Sequence, residues 1–127
     1  MTEAVFDASA VLAVVRREPG GDRLVPLRDR ALLSAVNAAE VYAKLLAAGL
    51  SDPRIADGLR AVVRRVVPFD EEQARVAADL HARTRRHGLS LADCACLALG
   101  RVRGVPVYTA DRVWAELDLG VVVELVR

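Results

Sequence analysis

Five short apolar runs, Ala4–Phe6, Ala31–Ser34, Val66–Phe69, Val105–Thr109 and Val121–Leu125, are separated by stretches with helical spacing, and this alternation restricts the possible folds more than any other feature. Strands that alternate with helices form a parallel sheet covered on both faces. The helix signals between the runs are ordinary ones. Asn37 stands as an N-cap before Ala38–Ala48, with Gly49 as the stop. Ser51-Asp52-Pro53 opens a helix in which Ile55, Leu59, Val62, Val63 and Val66 recur at helical spacing. Asp70 caps a helix through Arg86, with Ala74, Ala77, Ala78 and Leu80–Ala82 on its buried side, and Ser90 opens another that Gly104 closes. Shorter helical pieces are expected over Ala8–Val15, Asp22–Arg30 and Asp111–Leu117, and Pro68 suggests that the third strand is an edge. At 127 residues, with no repeat or linker, residues 1–127 suit one domain.

Four acids stand at the junctions of these elements. Asp7 ends the first strand, Glu40 lies at the start of the helix after the second, and Asp111 follows the fourth strand, while Asp93 sits inside the apolar run Leu89–Gly100, where an ionised carboxylate costs several kcal/mol, in order of magnitude, unless charge or hydrogen bonds compensate it. Each has a plain structural reading as a helix cap, since Asn37-x-x-Glu40 and Ser90-x-x-Asp93 have the spacing of capping boxes. Together they share one edge of the sheet, the carboxyl ends of the strands where open α/β sheets bind ligands. Ser9, Asn37, Ser90 and Thr109 stand beside them. Two carboxylates ~5 Å apart repel by roughly 3 kcal/mol at an effective dielectric near 20, so four in one pocket require cations. Oxygen ligands without His or Cys select Mg²⁺ or Mn²⁺. Two such ions would cancel the charge, clamp a phosphodiester and activate water for in-line attack.

Asp7-Ala8-Ser9-Ala10 after a short first strand, Asn37-x-x-Glu40, Leu89-Ser90-Leu91-Ala92-Asp93 and Tyr108-Thr109-Ala110-Asp111-Arg112 resemble the PIN-domain family, specifically the VapC-type toxins of type II toxin–antitoxin pairs. The resemblance covers almost the whole chain, with four motifs in order. It implies a three-layer α/β/α sandwich with a mainly parallel five-stranded sheet and an Mg²⁺- or Mn²⁺-dependent endoribonuclease acting on RNA. It also implies a VapB-type antitoxin as partner and a homodimer. By motif, Asp7, Glu40, Asp93 and Asp111 take the catalytic and metal-binding positions, with Ser9, Asn37 and Thr109 supporting them. The alternative is a PIN-like module that binds RNA or protein without cleaving.

Other classes fit less well. A phospho-receiver domain needs an acidic pair after its first strand and a lysine after its last, whereas Asp7 has no acidic neighbour and Lys44 lies in an early helix. A phosphatase of the haloacid dehalogenase class needs an aspartate where Ser9 stands. No apolar run approaches the ~18 residues of a membrane span, and Met1-Thr2-Glu3 lacks the basic start of a secretory signal, so a cytoplasmic protein is expected. Cys94 and Cys96 read as small core residues, His81 and His87 as parts of a polar helix, and Trp114 as packing, with RNA stacking as its functional alternative. The paired arginines, such as Arg64-Arg65 and Arg101-x-Arg103, read as solvated helix faces. Helix Val41–Leu50, with Ile55, Leu59 and Val62, is expected to wall an apolar groove for the antitoxin, the alternative being that these residues are buried in the protein's own core or in a homodimer contact.

Overall fold

A computed structural model describes residues 2–127; Met1, the first residue of the stretch read above for a secretory signal, lies outside the described residues. The strands are β1 (Ala4–Phe6), β2 (Ala31–Ser34), β3 (Arg65–Val67), β4 (Val107–Thr109) and β5 (Val123–Leu125). The α-helices are α1 (Ala8–Val15), α2 (Ala35–Ala47), α3 (Asp52–Val62), α4 (Glu71–Thr84) and α5 (Leu91–Arg103). The strands form one sheet in the order β3-β2-β1-β4-β5, and every pairing is parallel, so the sheet is wholly rather than mainly parallel.

Alternation along the strands builds the three layers. Phe6 and Leu33 join a buried cluster with α1, α2 and α3, while Val5, Leu32 and Val107 face a second cluster with α4 and α5. Gly100 lets α5 lie close on the sheet: a Cβ there would come within 2.3 Å of Val107 Cγ2. The chain runs outward from β1 to β2 and β3, then returns to place β4 and β5 on the other side of β1. The strand order therefore reverses between β1 and β4, and the crevice at their carboxyl ends is flanked by Asp7 and Asp111.

Several boundaries differ from the sequence expectation. Helix α2 begins three residues early, because Ser34 is both the last residue of β2 and the N-cap, its side chain accepting from the Val36 amide. Asn37 is thus an interior helix residue and not a cap. Strand β3 ends before Pro68 and Phe69 and is indeed an edge, and β4 and β5 are each shorter by their first two residues. Residues Gly21–Arg23, Val25–Arg30, Arg85–His87 and Arg112–Glu116 form 3-10 turns instead of α-helix. The buried face of α4 is Gln73, Ala77, Leu80 and Thr84; Ala78 and Ala82 are exposed. Among the described residues no helix is long and apolar enough to cross a membrane.

Candidate active site

Asp7 leaves β1 and caps α1, with the Ala10 amide donating to Oδ1 at 2.8 Å. Two hydroxyls complete its surroundings: Ser9 Oγ donates to Oδ1 at 2.7 Å and Thr109 Oγ1 to Oδ2 at 2.6 Å. Each hydroxyl also accepts from the backbone beyond β4, Ser9 from the Ala110 amide and Thr109 from the Asp111 amide. The end of β4 is thereby locked to Asp7, and Asp111 follows at a defined place. Asp7 is 5% exposed. Burial pushes its carboxyl up to about 6, against the opposing pull of hydrogen bonds from Thr109, Ser9 and Ala10; the Asp93 charge adds to the rise.

The other acids come from three further elements. Glu40 Oε1 accepts from Asn37 Nδ2 at 2.8 Å, and the same amide donates to the Ala92 carbonyl at 3.1 Å. Asn37 therefore ties α2 to the first turn of α5, beside Asp93. Asp93 and Ser90 form a true capping box, Oδ2 accepting from the Ser90 amide and Ser90 Oγ from the Asp93 amide. Asp111 Oδ1 caps the following 3-10 turn by accepting from the Val113 amide. The cap readings of Asp7, Asp93 and Asp111 are all realised, yet these caps lie along one cavity. A space of about 130 Å³ is lined by all four acids together with Ser9, Asn37, Lys44 and Trp114. Thr109 stands behind Asp7, fully buried.

The depth of the acids differs from the sequence expectation. Asp93 is half-buried, because the run around it is not uniformly interior and Leu91 is exposed; Asp7 is the acid taken out of water. Beneath the cavity, burial pushes the Cys96 thiol well up, and the nearby carboxylates of Asp7, Asp93 and Glu40 add to this. Cys94 and Cys96 are buried free thiols, as expected of core residues. Trp114 is 1% exposed within the core cluster of α4 and α5, which rules out a stacking platform for its ring. Lys44 was not picked out by sequence as a site residue; its position four residues after Glu40, on one helix face, is the signal that finds it.

No three of the described His, Cys, Asp and Glu side chains converge closely enough to enclose a metal ion directly. The acids share a cavity without meeting at a point, since each is drawn toward its own donor. The donor chemistry still suits a hard cation. All ligating atoms offered are oxygens, and Asn37 Oδ1, at the cavity wall, is a buried acceptor without a protein partner. A cation held through one or two carboxylates, with waters bridging to the rest, fits such an arrangement, and Mg²⁺ favours that mode.

Comparison with known proteins agrees with this architecture. The model of the PIN domain family matches residues 4–119. The chain is 29% identical over 128 residues to Ribonuclease VapC5 of Mycobacterium tuberculosis, covering 97% of this chain and 93% of that protein. Its structure resembles that of VapBC-5, a member of the VapBC family of toxin–antitoxin systems from the same organism, with a TM-score of 0.69 and 27% identity over 100% and 99% of the two chains. A toxin–antitoxin complex from Klebsiella pneumoniae shares the fold at a TM-score of 0.79 and 15% identity, over 98% of each chain.

Proposed function

This chain belongs to the PIN-domain family, and from that premise we propose that it is a VapC-type toxin, an endoribonuclease that hydrolyses RNA phosphodiester bonds with Mg²⁺ or Mn²⁺ and is held in check by a VapB-type antitoxin. The observation that carries this reading is the gathering of Asp7, Glu40, Asp93 and Asp111 around one small cavity at the switch point of a parallel sheet. Likeness to Ribonuclease VapC5 supports the ribonuclease activity, and likeness to VapBC-5 supports the antitoxin.

In this reading Asp7, Glu40, Asp93 and Asp111 would share in holding the metal, one or two of them directly, and the cation would supply charge neutralisation and the activation of water. The protein's own part is positioning. Ser9 and Thr109 spend their protons on Asp7, which fixes the direction of its carboxylate and the spacing between β1 and β4. Asn37 orients Glu40 toward the cavity and sets α2 against α5. Ser90 holds the Asp93 carboxylate at the first turn of α5, where the amide dipoles favour negative charge. With no histidine at the cavity, proton transfer falls to water and the carboxylates. A homodimer in a cytoplasmic setting belongs to the same proposal.

The test is cleavage of single-stranded RNA with added Mg²⁺ or Mn²⁺, compared with excess EDTA and with Asp93→Asn. Cleavage is expected only for the parent with metal. Undiminished cleavage in EDTA, or a fully active Asp93→Asn protein, would overturn the metal mechanism. Metal-independent RNA binding without cleavage would favour the non-catalytic alternative.

A further inference from the structure

The chain has eighteen lysine and arginine residues, and only one, Lys44, is lysine. It is also the one cation among the residues that line the acid cavity. Lys44 lies one helical turn beyond Glu40 on α2, the orientation that normally yields a Glu–Lys ion pair. No such pair forms. Glu40 Oε1 is occupied by the Asn37 amide, and among the described residues no carboxylate lies within ion-pair distance of Lys44. Elsewhere Arg28, Arg60, Arg64, Arg75, Arg83 and Arg103 are engaged by acids at 2.5–3.3 Å. Those cations are spent on surface pairs.

We propose that Lys44 is an RNA-binding residue of this site, its ammonium donating to a non-bridging oxygen of the backbone phosphate that crosses the cavity rim. The inference rests on the ribonuclease reading and names one contact within it. A cavity of four acids repels a polyanionic strand, and a metal ion offsets that only at its own position. A free ammonium on the adjacent turn offers the strand a second anchor, which fixes its register over the carboxylates. An ammonium is a compact point charge with three donors on a flexible stem, suited to a phosphate whose direction of approach varies.

The experiment uses the full chain with Mn²⁺ and a long single-stranded RNA of mixed sequence, comparing the parent, Lys44→Gln, Lys44→Arg and Asp93→Asn. Lys44→Gln is expected to raise KM about tenfold with a smaller effect on kcat, the loss of one charged hydrogen bond to substrate. Lys44→Arg should restore most of the lost affinity. RNA affinity measured against salt in the Asp93→Asn background should lose about 0.7 from its logarithmic slope when Lys44→Gln is added, one phosphate contact on a single strand. Because Lys44 is exposed, the melting temperature should not move. Parental KM and salt slope in Lys44→Gln, with cleavage abolished in Asp93→Asn, would overturn the Lys44 contact and leave the nuclease reading standing. Equal impairment of Lys44→Arg and Lys44→Gln would overturn it as well, since charge would not be what matters. If neither the parent nor any variant cleaves or binds RNA, the nuclease reading falls and the contact with it.

Discussion

At Asp7 the chain keeps a carboxylate almost wholly out of water while surrounding it with donors, and burial outweighs them. A carboxyl whose value rises from 3.8 unfolded to about 6 folded favours the protonated native state. Its contribution to stability is therefore fully present below pH ~4 and is lost as pH rises through 6, by roughly 3 kcal/mol in total. Metal-free protein in EDTA should accordingly be less stable at pH 7.5 than at pH 4.5 and melt lower, by about 2 kcal/mol, since at pH 4.5 roughly a third of the contribution is already lost. Asp7→Asn should remove that slope. At pH 7.5 the variant should also be the more stable protein, because removing a buried charge outweighs the roughly 1–2 kcal/mol lost where an amide replaces an acceptor oxygen. Melting curves across pH for parent and variant check this; a slope that persists in Asp7→Asn would place its origin in another group. RNA cleavage by the variant should be lost. The acids were legible in sequence because each ends or interrupts an apolar run. The Ser9 and Thr109 relay was legible only as neighbours of acids, since its partners lie about a hundred residues apart. Asp93 lies shallower than its apolar run suggests, because such a run need not be interior throughout and Leu91 faces water.

Among the elements, α2 carries the most consequence for the site, since it presents Asn37, Glu40 and Lys44 on successive turns. Its start lies three residues before the position that Asn37 suggests, for a physical reason. Strand β2 passes into the helix without a loop, so Ser34 serves both, and the stronger-looking cap Asn37 is freed to bridge α2 and α5. Asn37→Ala removes two partly buried hydrogen bonds and should destabilise the fold by about 2 kcal/mol. Its effect on cleavage should be larger than this suggests, about tenfold or more, because Glu40 loses its orienting partner. Thermal melting and cleavage rates measured together separate the two effects. Loss of activity only in proportion to the unfolded fraction would assign Asn37 a purely structural role. Strand order was beyond sequence reasoning, because it is decided by pairing between segments distant along the chain. That the strands run parallel and end at the acids followed from the alternation itself.

At the scale of the whole molecule, the apolar groove expected along α2 and α3 is only partly present. Ile55 and Val62 are interior, within the cluster that α1, α2 and α3 share, so they cannot wall a docking surface. Leu59 is also buried, but it floors an open groove of about 330 Å³ between α2 and α3, beside Tyr42 and rimmed by Arg60, Arg64 and Arg65. What α2 turns outward is a stripe of Ala39, Ala43, Leu46 and Ala47, with Leu46 50% exposed. Small residues at helical spacing allow a second backbone to approach closely, and the one large side chain among them can serve as an anchor. If the antitoxin covers this stripe, a charge at Leu46 must be desolvated in the complex but not in the free toxin. Leu46→Glu should therefore leave the melting temperature of the toxin alone nearly unchanged, because Leu46 contributes little to the core. It should weaken antitoxin binding by about tenfold or more. Leu50→Glu tests a less exposed position, whose side chain packs against the core cluster, and should destabilise the toxin itself. Titration of purified toxin variants with the antitoxin, alongside light scattering of the toxin alone, resolves the occupant. A change in toxin oligomeric state with antitoxin affinity intact would assign the stripe to a contact between toxin copies instead. If Leu46→Glu changes neither, the outer face of α2 is plain surface.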